Sequence, residues 1–323
     1  MSIKMKEVIF IFLSMTSFSS VAEFQTLTNF GDNPGELKAS YLKPAQPTNK
    51  LVVLLHGCAQ SGELLAQQSG FVALAKQHKF TLLTPQQSKT NNVKSCFNWF
   101  SALDTTKNKG ESLSLYNMIT TLKNQTAANQ IYIVGVSAGG AMVSAMLVNY
   151  PELFQSGAVI AGLPYPCADN LAKAISCMRN GPLQTAHTLT DYIKEQQPQS
   201  VNWPTLTVWT GNKDKVVNTI NSSVLAQQWA GLFAQNITTK VISKDDYQIT
   251  QWQVASSKVV VELAEFKKLG HGMMVNPEEE TGGEIAPFLL AAPMSSAKQI
   301  INFWGLTQNK HKPLKLNNIN KST

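Results

Sequence analysis

Short, unbroken apolar runs alternate along this chain with longer segments whose apolar positions recur every three to four residues. Leu51–Leu55 is one such run, and residues 63–79 then place Leu64, Leu65, Phe71, Leu74 and Ala75 at helical spacing. Strands of a buried parallel sheet need apolar side chains on both faces, so the runs predict strands and the spaced segments predict the helices that return the chain between them. The same reading predicts strands at Phe80–Leu83, Ile131–Val134, Ala158–Ala161, Leu206–Trp209 and Lys258–Phe266. It predicts helices at Leu113–Leu122, Ala141–Leu147, Ser223–Phe233 and Ser295–Trp304. The fold class is therefore α/β, with a mostly parallel central sheet and helices on both faces. Two segments break the rhythm: residues 162–204 fit a lid-like excursion, and residues 240–256 alternate like a strand or hairpin at the sheet edge.

Ile131 to Tyr150 carries no charge, yet Gly135, Gly139 and Gly140 divide it into a β-branched half and a helix-forming half. It reads as strand, tight turn and buried helix, not as a membrane span. The N-terminus differs: Lys4 and Lys6, an apolar stretch from Val8 to Phe18, then Ser20-Val21-Ala22 form a signal peptide over residues 1–22. That stretch is shorter than the ~20 residues a spanning helix needs, so no stable membrane insertion is expected. The expectation is a secreted protein, retention in a periplasm being the alternative, with one α/β domain over residues 23–305 and a polar basic tail over residues 306–323.

Composition narrows the function classes. At 43% hydrophobic and 15% charged residues the chain folds rather than remaining disordered. The net charge of +7 comes almost wholly from lysines, Arg179 being the single arginine, and they are scattered outside the tail. Nucleic-acid readers depend on planar arginine forks, so no nucleic-acid partner is expected. Export favours disulfides among Cys58, Cys96, Cys167 and Cys177, with three pairings open. No CxxC is present and the histidines lack zinc-ligand spacing, so neither a metal nor another cofactor is expected.

The turn between the two halves of the uncharged stretch reads Gly135-Val136-Ser137-Ala138-Gly139, a G-x-S-x-G motif in strand-turn-helix context. A serine there is a nucleophile only if a histidine takes its proton and an acid orients that histidine, and in this hydrolase fold the chain order is Ser, acid, His. His56 and His78 precede Ser137, His187 lies in the excursion and His311 in the tail, which leaves His271 in Gly270-His271-Gly272. Asp214 follows the Leu206–Trp209 strand by a short turn. Asp245, Asp246 and the run Glu278–Glu280 read as solvated instead. Backbone N–H groups of Ala138 and Cys58, the latter in Leu55-His56-Gly57-Cys58-Ala59-Gln60, are the candidate oxyanion donors, with His56 shaping that loop.

Taken together, Leu55–Gln60, Cys96-Phe97-Asn98-Trp99-Phe100, Gly135–Met142, Ala158–Tyr165 and Gly270-His271-Gly272 resemble the polyhydroxybutyrate depolymerase family of esterases, related to feruloyl and acetylxylan esterases of the α/β-hydrolase superfamily. The resemblance implies a Ser137, Asp214 and His271 triad with the Cys58 and Ala138 amides as oxyanion hole. It also implies a Cys58–Cys96 disulfide, with Cys167–Cys177 as the other pair. Trp99 would then lie near the substrate cleft, a core position being the competing reading. The implied substrate is a poly(3-hydroxybutyrate) chain or another ester oligomer, met without a separate polymer-binding module. The alternatives are a feruloyl or acetylxylan esterase on plant polysaccharide and, more remotely, a non-catalytic surface-binding protein.

Overall fold

A computed structural model describes residues 23–46, 49–197, 201–233 and 236–307. Residues 1–22, expected to be a signal peptide, and His311 therefore lie outside the described residues, as does the tail beyond residue 307. The strands are β1 (Gln25–Thr26), β2 (Lys38–Leu42), β3 (Lys50–Leu55), β4 (Thr81–Gln86), β5 (Gln130–Val136), β6 (Ser156–Ile160), β7 (Thr205–Gly211), β8 (Thr238–Ser243), β9 (Tyr247–Gln253) and β10 (Val259–Phe266). They form one sheet in the order β1-β2-β4-β3-β5-β6-β7-β10-β9-β8. Strands β4 through β10 in that order are parallel, and an antiparallel pair closes each edge: β1–β2 on one side and the hairpin β9–β8 on the other. A small second pairing joins β11 (Met273–Val275) to β12 (Leu289–Ala291).

The helices are α1 (Gly62–Gln68), α2 (Phe71–His78), α3 (Ala102–Thr105), α4 (Gly110–Thr126), α5 (Ala138–Asn149), α6 (Leu171–Asn180), α7 (Ala186–Gln196), α8 (Ile220–Ala230) and α9 (Ser296–Phe303). Side chains of each central strand alternate between two cores. Leu51, Val53 and Leu55 join Ile131, Ile133, Leu206 and Val208 under α4, α5 and α8. Val52 and Leu54 join Val134 and Trp209 under α1, α2 and α9. Because both faces are covered, the strands show no polar alternation, which is why they read as continuous apolar runs. All twelve residues of α5 are buried, which accounts for the charge-free stretch without a bilayer. No helix among the described residues is long and apolar enough to cross a membrane.

Several elements differ from the sequence expectation. The helix expected over residues 63–79 is two helices, because the chain turns at Ser69-Gly70, with Gly70 at φ 88°. Within the 162–204 excursion, where the sequence specifies no elements, lie α6 and α7, both packed on α8. Leu306, expected to begin a frayed tail, is 1% exposed and packs into the α9 core. Glu279, expected to be solvated, holds Lys298 at 2.7 Å and accepts from Asn276. Strands β1, β2, β11 and β12 escape the apolar-run criterion because they are short edge or loop pairings.

Candidate active site

The carboxyl ends of the parallel strands carry every piece of the site. Ser137 sits between β5 and α5 at φ 55°, ψ −119°, a conformation that a side-chain-bearing residue keeps only when its surroundings impose it. Two contacts impose it here. The Ser137 N–H donates to Ile160 O at 2.8 Å. Gly139 passes so close to β3 that a Cβ there would stand 2.5 Å from the carbonyl oxygens of Leu55 and His56.

Strands β7 and β10 pair up to Gly211 and Phe266, and the pairing continues into the loops beyond them. Asn212 N–H donates to Phe266 O and Lys213 N–H to Leu269 O, both at 2.8 Å. A Cβ on Gly211 would lie 2.4 Å from Leu269 O, so the close approach of the two loops requires glycine. This approach sets Asp214 against His271. His271 Nδ1–H donates to Asp214 Oδ2 at 2.7 Å, and Ser137 Oγ–H donates to His271 Nε2 at 2.9 Å. Asp214 Oδ1 accepts the Val216 and Val217 amides at 2.8 and 2.9 Å. The aspartate side chain is 0% exposed and the imidazole 10%. A carboxylate only accepts, so it holds the proton on Nδ1 and leaves the Nε2 lone pair facing the serine.

The loop after β3 closes the other side. His56 is fully buried, its Nδ1–H donating to Gly57 O at 2.7 Å and its Nε2 accepting the Gln87 amide at 3.1 Å. Burial lowers its pKa, so it is a neutral spacer within the loop. Gly57 lies against the serine, a Cβ there standing 3.4 Å from Ser137 Cβ. The Cys58 amide donates to no acceptor among the described residues, and that of Ala138, first in α5, has none within its helix. Cys58 is bridged to Cys96 with Cα atoms 4.2 Å apart, and Cys167 to Cys177 at 6.2 Å.

Ser137 opens into a cavity of about 210 Å³ walled by Trp99, Leu163, Met178, Val216, Val217 and Phe288, with Cys58 and Ala138 on its rim. Trp99 is 7% exposed, so it is both a buried tryptophan and a cavity wall. Two larger hollows lie at the amino ends of β6, β7 and β10, lined in part by Glu262 and Trp304 or by Trp203 and Phe233, away from this chemistry. Among the described residues no cluster of three metal-ligating side chains occurs.

The profile of the family described as "Esterase PHB depolymerase" matches residues 38–241. A poly(3-hydroxyalkanoate) depolymerase C of Paucimonas lemoignei is 32% identical over 302 residues, covering 90% of this chain and 72% of that protein. The chain belongs to the PHB depolymerase esterase family. It is thus a carboxylic-ester hydrolase. A feruloyl esterase B of Talaromyces stipitatus is 27% identical over 230 residues, 68% of this chain and 63% of that protein. Among solved structures, an acetyl xylan esterase from Aspergillus awamori superposes with a TM-score of 0.72 at 20% identity, covering 88% of this chain and all of that one; it shares the α/β-hydrolase fold.

For a member of this esterase family, the site holds residues that the motifs do not announce. The Val216 and Val217 amides on Asp214, Phe288 edge-on to His271 at 6.3 Å, and Met178 from α6 all come from connections without a distinctive pattern. Glu111 is the largest omission. It stands two residues before the helix expected over Leu113–Leu122, yet it lies in the first turn of α4 and is 0% exposed.

Proposed function

We propose that this enzyme is a secreted serine esterase that cleaves poly(3-hydroxybutyrate) or its oligomers through Ser137, His271 and Asp214. The observation that carries the reading is the unbroken hydrogen-bonded series from Asp214 through His271 to a strained Ser137 that faces an apolar cavity. His271 Nε2 takes the hydroxyl proton as Ser137 Oγ attacks the ester carbonyl, and the tetrahedral oxyanion is met by the Cys58 and Ala138 amides. The imidazolium, held by Asp214, passes that proton to the departing alkoxide and leaves an acyl-serine. Water then attacks with the same base, and the carboxylic acid leaves. The uncharged walls suit the aliphatic segment of a hydroxyalkanoate, and the similarity to a poly(3-hydroxyalkanoate) depolymerase supports the same substrate class. Two disulfides and the N-terminal signal pattern support export.

The similarity to a feruloyl esterase keeps a second reading open, an esterase of plant polysaccharides. A panel of hydroxybutyrate oligomers, methyl ferulate and acetylated xylan separates the two. Release of hydroxybutyrate units at the highest kcat/KM is the expected result, and preference for methyl ferulate or acetylated xylan hands the assignment to the second reading.

A further inference from the structure

Glu111 is a buried carboxylate that the reaction itself does not use. Its Oε1 accepts from the side chains of Gln87 and Asn91, and its Oε2 accepts the Asn98 amide at 2.9 Å. All three donors come from residues 87–98, the connection that leaves β4. Gln87 extends the cluster in two directions, its side chain to Cys96 O at 3.1 Å and its backbone amide to His56 Nε2. Cys96 is bonded to Cys58, and Trp99 follows Asn98 directly. The two sides of the site nearest the free Cys58 amide thus converge on one side chain.

We propose that Glu111 is a positioning residue for ester hydrolysis, fixing residues 87–98 and, through the Cys58–Cys96 bridge and Trp99, setting the Cys58 amide and the cavity wall against Ser137. This rests on Ser137 as nucleophile. Every partner of Glu111 is a donor, so in the ionised form, which prevails above about pH 8, both oxygens act as acceptors, and a glutamine there turns an N–H₂ group toward a donor it cannot accept. An oxyanion donor displaced by a fraction of an ångström weakens the transition state more than the ground state, so kcat carries the loss rather than KM.

The test is Glu111→Gln assayed on p-nitrophenyl butyrate above about pH 8, where the wild-type carboxylate is ionised, with rates normalised to the serine titrated by an organophosphate. A fall in kcat of about tenfold or more, with KM moving less than about threefold, is expected. Glu111→Asp, which keeps the acceptor oxygens on a shorter stem, should recover part of it. Wild-type kcat per titrated serine in Glu111→Gln, whatever the yield of folded enzyme, would overturn the proposal. Should that variant fail to fold, Asn91→Ala in the half-exposed part of the cluster replaces it: a smaller fall in kcat supports the proposal, and an unchanged kcat overturns it. A Ser137→Ala enzyme that still turned the ester over would remove the nucleophile on which the proposal rests, and the proposal with it.

Discussion

The two halves of the site are held by different physics. Asp214 and His271 ride on the continuation of a β ladder, where backbone bonds from Asn212 and Lys213 clamp one loop to the other and no side chain outside the pair is needed. The Cys58 loop has one such backbone bond, Ala59 N–H to Lys94 O at 2.8 Å, and otherwise hangs from side chains: a disulfide, a neutral buried histidine and the Glu111 cluster. Backbone clamping is indifferent to redox state and to protonation. The side-chain suspension is sensitive to both, so the Asp214–His271 half should survive insults that disable the Cys58 half.

Ser137, where the halves meet, gives the largest effect. Ser137→Ala should lower kcat by about 10⁴-fold or more with the melting temperature nearly unchanged, and His271→Ala should match it. Steady-state kinetics with active-site titration checks this, and retention of a tenth of the wild-type rate would end the triad assignment. Next comes a break confined to the backbone-clamped half: Gly211→Ala forces a Cβ into Leu269 O, which should cost about 1–3 kcal/mol of stability. Separating the acid loop from the base loop should also cost about 10²-fold in kcat. Denaturant melts and kinetics on the same preparation decide it.

The suspended half responds to reductant. The Cys58–Cys96 bond closes a loop of 38 residues, for which a chain-entropy argument gives about 4 kcal/mol. Opening it frees the Cys58 amide before the sheet yields, so activity should fall at dithiothreitol concentrations where near-ultraviolet circular dichroism is still native. Coincident loss of both signals would show that the bridge serves the fold alone. The smallest effect concerns protons. Burial, reinforced by Asp104 and opposed by the Asn98, Gln87 and Asn91 bonds, raises the Glu111 pKa to about 8. Between the ordinary carboxylate range and about pH 8 the folded chain therefore keeps a proton that the unfolded chain has released, so this group makes stability decline as pH rises through that window and level off above it. Relative to wild type, Glu111→Gln should show a flatter melting temperature from about pH 5 to 8. Parallel profiles would refute a titrating Glu111.

This contrast also decides what could be read from the amino-acid order. The frame and the backbone-clamped half are legible because their signals are local: Leu51–Leu55 is apolar on both faces, Ser137 has its glycines within two residues, and Asp214 and His271 each follow a strand. Local patterning overreached at residues 63–79, where a glycine inside a helical period was overridden by a tight turn. The Glu111 cluster is illegible because its donors lie 13 to 24 residues away and consist of amides that any polar loop contains. A buried carboxyl group satisfied by a distant loop leaves no period in the sequence.

Beside Ser137, His271 and the elbow residues Val136 and Ala138, the cavity takes its walls from five separate connections: Cys58 after β3, Trp99 after β4, Leu163 and Met178 after β6, Val216 and Val217 after β7, and Phe288 after β11. None of these five connections belongs to the buried α5, which contributes only Ala138 to the lining. Changes of side-chain volume at Met178, Val216 and Phe288 should accordingly combine with near-additive effects wherever the altered groups do not touch. Acyl-chain preference could then be moved by recombining independently selected loops, while the frame that bears the serine is inherited unchanged.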